Sequence, residues 1–251
     1  MLTLYFSGTG NTKYIAEKFA ENMQADCHSI EEEIDFASLI SAADKIAICY
    51  PIYGSCVPEI MRSFVDRHKK RLDGKKLIIL CTQLLFSGDG ARVLTDLLTE
   101  TQTEIIYAEH INMPNNICNF FLLPLAKAER INKYVKRADI KLAKVTHNIN
   151  SGIIKKRGFN PFSKLLGLLG QRLYFQKIEQ KTKQDVRINS NCNQCGICTR
   201  ICPTSNLKLV NNKIEQKGRC TLCYRCVNTC PQQAITVFLH SRVKHQYKGP
   251  I

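Results

Sequence analysis

Apolar and polar positions follow two rhythms along the chain. Four short runs rich in β-forming residues, 2–6, 45–50, 76–82 and 104–111, are each followed by a polar loop. Between and after them the spacing changes to three and four. Ile15, Phe19 and Met23 share one helical face after the first run, and Leu125, Ala128, Ile131, Val135, Ala138, Leu142, Val145 and Ile149 follow the last. The second series predicts a long amphipathic helix with Lys and Arg outside. Strands alternating with helices imply a parallel sheet joined by right-handed crossovers, with ligands bound beyond the carboxyl ends of the strands. With 44% apolar and 23% charged residues, a packed core is expected and wholesale disorder is excluded.

The loop after the first run reads Ser7-Gly8-Thr9-Gly10-Asn11-Thr12 and opens a helix. Free backbone N–H groups, the helix dipole and hydroxyl donors make such a loop suitable for an anion, and glycine lets the backbone approach it closely. A Walker A loop would end in Gly-Lys-Ser/Thr, and a dinucleotide fingerprint would place a third glycine where Lys13 stands. Neither fits, which leaves an ordinary Gly/Ser turn or another phosphate loop. The hexapeptide resembles the flavodoxin signature. That resemblance implies an α/β fold over residues 1–150, with a doubly wound five-stranded parallel sheet. It also implies FMN as cofactor, its phosphate held by Ser7, Gly8, Thr9, Gly10, Asn11 and Thr12. Two further flavin loops are expected: Pro51, Ile52, Tyr53 and Gly54 after the third strand, and Phe86, Ser87 and Gly88 after the fourth. Tyr53 and Phe86 are the aromatic candidates against the flavin. Cys49 and Cys81 read as small core residues, while Cys56 and His110 are expected towards the flavin side.

Eight of the 13 cysteines form a repeat: Cys192-x2-Cys195-x2-Cys198-x3-Cys202-Pro203, then Cys220-x2-Cys223-x2-Cys226-x3-Cys230-Pro231. Three thiolates at this interval can curl around one face of an iron–sulfur cube. Structural zinc more often pairs Cys-x2-Cys with a distant second pair. Disulfides require an oxidising compartment, whereas the opening residues lack the basic start and cleavage site of a secretory signal. The chain is therefore expected to be cytoplasmic. The repeat resembles the bacterial two-cluster ferredoxins over about residues 186–240. This implies a small α+β domain in which Cys192, Cys195, Cys198 and Cys230 bind one [4Fe–4S] cluster and Cys220, Cys223, Cys226 and Cys202 a second. Together the halves look like the flavodoxin–ferredoxin fusion proteins of anaerobic microbes.

Charge divides the chain further. The formal charge of +15 comes entirely from the last hundred residues: the first 150 sum to zero, 151–191 carry +7 and 192–251 carry +8. Residues 151–185 form a basic connector with Phe159, Phe162, Leu165, Leu166, Leu169, Leu173 and Phe175 among its lysines and arginines, and 241–251 form a basic tail. The connector either packs between the domains or makes peripheral contact with an anionic membrane. Gly167 and Gly170 weaken it as one helix. No binding motif supports nucleic acid as a partner. The expected function is electron relay between two [4Fe–4S] clusters and FMN, linking a low-potential donor to a partner oxidoreductase. A flavin enzyme reducing a small substrate, or a redox-regulated protein docking on a membrane or acidic partner, are the alternatives. No acid–base constellation marks a catalytic residue.

Overall fold

The computed structural model describes residues 1–120 and 122–250. Phe121, within the apolar stretch 120–126, and Ile251, the end of the tail, lie outside the described residues.

The N-terminal half is a parallel sheet in the order β2-β1-β3-β4-β5-β6. The strands are β1 (Leu2–Tyr5), β2 (Asp26–Ser29), β3 (Lys45–Pro51), β4 (Lys76–Gln83), β5 (Glu104–Asn112) and β6 (Lys155–Lys156). Successive side chains of the central strands enter two separate cores. Leu2, Leu4, Ile46, Ile48, Leu77 and Ile79 pack with α2 (Phe36–Ala42) and α3 (Glu59–Leu72). Tyr5, Ala47, Cys49, Ile78 and Leu80 pack with α1 (Asn11–Met23) and α4 (Ala128–Asn150). Because both faces are covered, these strands read as unbroken apolar runs. Cys49 and Cys81 are fully buried, one in each core.

Two edge strands differ from the sequence pattern. Asp-Cys-His-Ser of β2 has no apolar run, since it pairs only with β1. The sheet has six strands rather than five because β6, contributed by the connector, adds beside β5. Its lysine is drawn there by a buried carboxylate: Lys155 Nζ lies 2.7 Å from Glu109, which also faces Lys141 and Arg157. Burial raises the Glu109 carboxyl, but these cations outweigh it and hold it below the usual range. Beside it, burial and Arg157 lower buried His110 to about 4, and its Nε2 accepts from the Ala91 amide at 3.2 Å. His110 thus serves the loop after β4 and does not line the cavity at the carboxyl ends of the strands.

A His held neutral in this way costs the folded state nothing while the unfolded chain is also unprotonated, and destabilises it once the unfolded chain takes up the proton. Stability should therefore fall as pH drops from about 6.5 towards about 4, by roughly 3 kcal/mol across the window. The expected result is a flatter acid limb of the thermal unfolding midpoint in His110→Gln than in the parent. Parallel limbs would refute it.

The connector continues into α5 (Pro161–Gly167), a π-helical turn (Leu168–Arg172) and α6 (Leu173–Thr182) without a break. Asn160 caps it by accepting from the Ser163 amide at 2.8 Å, with Pro161 in the first turn. Gly167 does not break the helix. It is where the helix meets the sheet domain, and a β-carbon there would run into Asp89. Arg172 pairs with Asp89, Arg62 with Glu179 at 2.7 Å, and Lys183 with Glu59 at 2.8 Å. Among the described residues, no helix is long and apolar enough to cross a membrane.

The C-terminal part pairs β7 (Val186–Ile188) with β10 (Ile235–Val237), adds the hairpin β8 (Leu207–Val210) and β9 (Lys213–Gln216), and contains the short helices α7 (Ile197–Arg200) and α8 (Arg225–Thr229). Its repeat is also a repeat of backbone shape. Left-handed conformations recur at Gln194 and Leu222, Gly196 and Tyr224, and Ser205 and Gln233, each pair 28 residues apart. The tail turns back across this domain: Val243 and Tyr247 are buried, and Gln246 donates to the carbonyls of Val227 and Cys230.

Candidate functional site

The carboxyl ends of β1, β3, β4 and β5 open onto a cavity of about 320 Å³. One end is polar and is built from Ser7, Gly8, Thr9, Asn11 and Thr12, together with Asn115 and Asn116 from the loop after β5. Ser7 Oγ accepts from the Gly10 amide at 3.1 Å, and Thr9 Oγ1 accepts from Asn116 at 3.0 Å. Both hydroxyl protons therefore remain available to a bound anion. The Thr12 hydroxyl is shared with Thr82 at 2.7 Å. Gly10 caps α1 in a left-handed conformation and does not line the cavity; it faces Gly249 and Pro250 of the tail. Asn11 is held from both sides, donating to Pro114 and accepting from Tyr247.

The other end is apolar. Pro51, Ile52, Tyr53 and Gly54 line it, as do Phe175 and Ile178 from the connector and Leu222, Tyr224 and Phe238 from the C-terminal domain. The Tyr53 hydroxyl is buried and has no hydrogen-bond partner among the described residues. Burial, and then Cys223, hold its phenol well above the ordinary value. An anion-ready helix terminus joined to an aromatic slot with an unsatisfied hydroxyl fits a phosphorylated, hydrogen-bonding ring cofactor such as FMN. The second flavin loop differs from its sequence expectation. Phe86 is half exposed, Ser87 is buried against Gln83 and Ser55, and Gly88 is pressed onto Gly167; none of the three lines the cavity. Gly167 and Gln171 of the connector helix contact that loop instead. Buried Cys56 lies outside the cavity lining, its thiol raised to about 11 chiefly by burial.

The eight repeat cysteines fall into two quartets. Cys192, Cys195, Cys198 and Cys230 line one small cavity with Ile197, Ile214 and Ile235. Cys202, Cys220, Cys223 and Cys226 line another with Leu207 and Val237. The turns after the fourth cysteines match: the Asn206 amide donates to Cys202 Sγ at 3.2 Å and the Ala234 amide to Cys230 Sγ at 3.3 Å. Amides aimed at sulfur suit a thiolate ligand. Tyr224 stands where the first repeat has Gly196, in the same left-handed conformation. Its hydroxyl donates to the Val237 carbonyl at 3.1 Å while its ring caps the larger cavity. Two apolar cavities, each walled by four cysteines on a duplicated backbone, fit iron–sulfur cubes.

The second quartet adjoins the polar loop. A β-carbon on Gly8 would run into the Cys223 carbonyl, so these two backbones meet only because residue 8 is glycine. Arg225 clamps the junction: it donates to the carbonyls of Ser7, Gly8 and Ile201 and makes a bidentate pair with Glu31 at 2.8 and 2.7 Å. The first quartet lies further out, with Cys195 exposed. Sequence spacing could not have located Arg225, Phe175 or Phe238. The loop after β5 was within reach of the rule that ligands sit at strand carboxyl ends.

Comparison with known proteins agrees with this division. Residues 2–121 match the family model of the flavodoxin domain, and residues 191–235 match that of the 4Fe-4S dicluster domain. Similar solved structures include a flavodoxin from Megasphaera elsdenii, 22% identical over 57% of this chain and 99% of that one, with a TM-score of 0.40. A WrbA-like flavodoxin from Agrobacterium tumefaciens is 21% identical over 60% and 97%, with a TM-score of 0.41. A search of curated proteins returned no match. The chain thus joins a flavodoxin-type α/β domain, whose cofactor is FMN, to a ferredoxin-type iron–sulfur domain, and its role is redox.

Proposed function

We propose that the chain is a three-centre electron relay. In this reading Cys192, Cys195, Cys198 and Cys230 hold an outer [4Fe–4S] cluster, and Cys220, Cys223, Cys226 and Cys202 hold an inner one. FMN lies in the large cavity, with its phosphate at residues 7–12. The supporting observation is the junction, where Cys223 meets Gly8 with no side chain between them. Residues 1–150, 151–185 and 186–240 then act as flavin domain, connector and cluster domain, with tail residues 241–250 strapping the last to the first. When bound, the clusters pass single electrons and FMN accepts one or two.

The chain's own residues fix the order of the three sites. Arg225 holds the inner quartet on the phosphate loop, Ser7 and Thr9 offer hydroxyl protons, and Phe175, Tyr224 and Phe238 line the aromatic end. The absence of an acid–base constellation among the described residues lining the cavity favours a carrier over an enzyme acting on a small substrate. Electrons would be exchanged with a donor at exposed Cys195, within a region carrying +8 over residues 192–251. An acidic donor is expected, with an association rate that falls as salt rises. Eight thiolate ligands require a reducing compartment, which supports a cytoplasmic location.

Anaerobic purification should give one FMN and about eight irons per chain. Zinc without iron would overturn the reading, and so would rapid turnover of small acceptors by the protein alone. Thr9→Val should weaken FMN retention by about 10- to 100-fold, the worth of one hydrogen bond to a charged group. Thr12→Val should act in the same direction. Iron content should stay at the parent value in both, and unchanged flavin affinity would remove loop 7–12 from the site.

A further inference from the structure

The connector helix is apolar on the side that faces away from the protein. Phe162, Leu165, Leu169 and Leu173 follow one another by three and four residues, each at least half exposed; Phe162 reaches 69% and Leu169 64%. Tyr174, 72% exposed, extends the stripe. Leu85 and Phe86 widen it from the loop after β4, which is held beside the helix by Gln171 donating to the Phe86 carbonyl at 3.0 Å. A surface helix normally turns such a stripe inward. This one cannot roll, because its other side is pinned by Gly167 against Asp89, by the buried Arg172–Asp89 pair and by Glu179 with Arg62. A contiguous exposed apolar patch of this kind marks a docking surface.

Charge and side-chain type indicate the occupant. From residue 151 to 178 the chain has six Lys/Arg and no Asp or Glu. Lys155, Arg157 and Arg172 are spent on Glu109 and Asp89, while Lys156, Lys164 and Lys177 are exposed with no ion pair among the described residues. A second copy packed stripe to stripe would bring these lysines together. Protein hot spots favour Trp, Tyr and Arg over Leu, whereas this stripe is mainly leucine, with one hydroxyl at Tyr174. Leucine and phenylalanine flanked by lysine, with tyrosine at the margin, suit the boundary between headgroups and acyl chains.

We propose that residues 161–177 dock the protein flat on a bilayer surface rich in anionic phospholipid. The leucine stripe enters the interface and Lys156, Lys164 and Lys177 rest among the headgroups. The inference is independent of the relay: it concerns where the protein sits, and it holds whatever the direction of electron flow.

The chain has no tryptophan, so Leu169→Trp introduces a single reporter at the centre of the stripe. With the full holoprotein, vesicles of phosphatidylcholine plus phosphatidylglycerol should cosediment the protein and shift this emission to the blue. Pure phosphatidylcholine should do so weakly, and high salt should weaken binding. The Leu165→Ser/Leu169→Ser variant should bind at least about tenfold more weakly, since each leucine loses its transfer energy. Lys164→Glu/Lys177→Glu should also bind more weakly while leaving the apolar stripe intact. Both changes are on the surface, so FMN and iron contents should match the parent. Absence of vesicle binding, an unshifted emission, or binding insensitive to the serine pair would each overturn the proposal. So would a dimer that the serine pair abolishes in a protein that ignores vesicles.

Discussion

Replacing Gly8 by alanine is expected to uncouple the cluster domain from the flavin domain without removing either cofactor. The new methyl group meets the carbonyl, carbon and Cα of Cys223, all of them backbone atoms. No side chain is there to swing aside. The Cys223 segment cannot yield easily either, because Leu222 and Tyr224 on both sides are in left-handed conformations and Arg225 ties the next turn to the carbonyls of Ser7 and Gly8. Overpacking of this kind costs about 1–3 kcal/mol, which corresponds to a roughly 5- to 150-fold shift of the docking equilibrium.

The measurement is anaerobic stopped-flow, following flavin bleaching after the clusters are reduced. The flavin phase should slow by the same factor while FMN and iron contents hold. Gly8 also lines the cavity, so Arg225→Met serves as the second variant. It leaves the loop backbone unchanged and removes the clamp from the other side, at about 1.5–3 kcal/mol for charge-assisted bonds. The partial exposure of Arg225 and Glu31 places the cost at the lower end. If both variants transfer electrons at the parent rate, the junction is not the electron path.

The parts of this molecule that were legible in the sequence are those where chemistry fixes spacing. Three cysteines of each quartet recur every third residue and the fourth comes from the other run, so the two runs together identify their own domain. A phosphate loop must join a strand to a helix, so residues 7–12 stand out beside the 2–6 run. What could not be read is what depends on contacts distant in sequence. Asp-Cys-His-Ser makes an edge strand because β1 offers it a free side, and nothing in those four residues announces it. Lys155 and Lys156 read as charge, yet they form a strand because Glu109 is buried beside them. Gly167 counts against a helix by propensity but is required by a neighbour 78 positions earlier, at Asp89. Phe86 is placed near the flavin by resemblance, whereas its backbone is held by Gln171 of the connector and its ring is half exposed. The tail, which reads only as a basic end, delivers Tyr247 to Asn11 of the phosphate loop.

The same distant contacts make Arg172 a sensitive position outside the cofactor ligands. Asp89 is completely buried, and its carboxylate is satisfied by Arg172 on one oxygen and by Arg92 at 2.8 Å on the other, with the Ser55 hydroxyl at 3.2 Å. Arg172→Met keeps the aliphatic stem that packs against the sheet domain and removes the charge. Asp89 then keeps a buried negative charge with half its compensation, and because Arg92 still pairs with it the loss stays below the roughly 3–5 kcal/mol of a fully stranded charge, against total stabilities of about 5–15 kcal/mol for ordinary domains. Arg172 also donates to the Ser55 carbonyl at 3.3 Å, so the helix loses its hold on the loop carrying Tyr53 and Gly54. Phe175, one turn further on, then no longer closes the cavity against Gly54. Hydrogen exchange of residues 161–182 should therefore accelerate far more than that of β3 or β4, and FMN should be released faster than from the parent. Asp89→Asn combined with Arg172→Met removes the stranded charge and should recover part of the loss, with a coupling of more than about 1 kcal/mol. Exchange in the connector that matches the parent would mean that the apolar contacts, and not this ion pair, set the position of the helix.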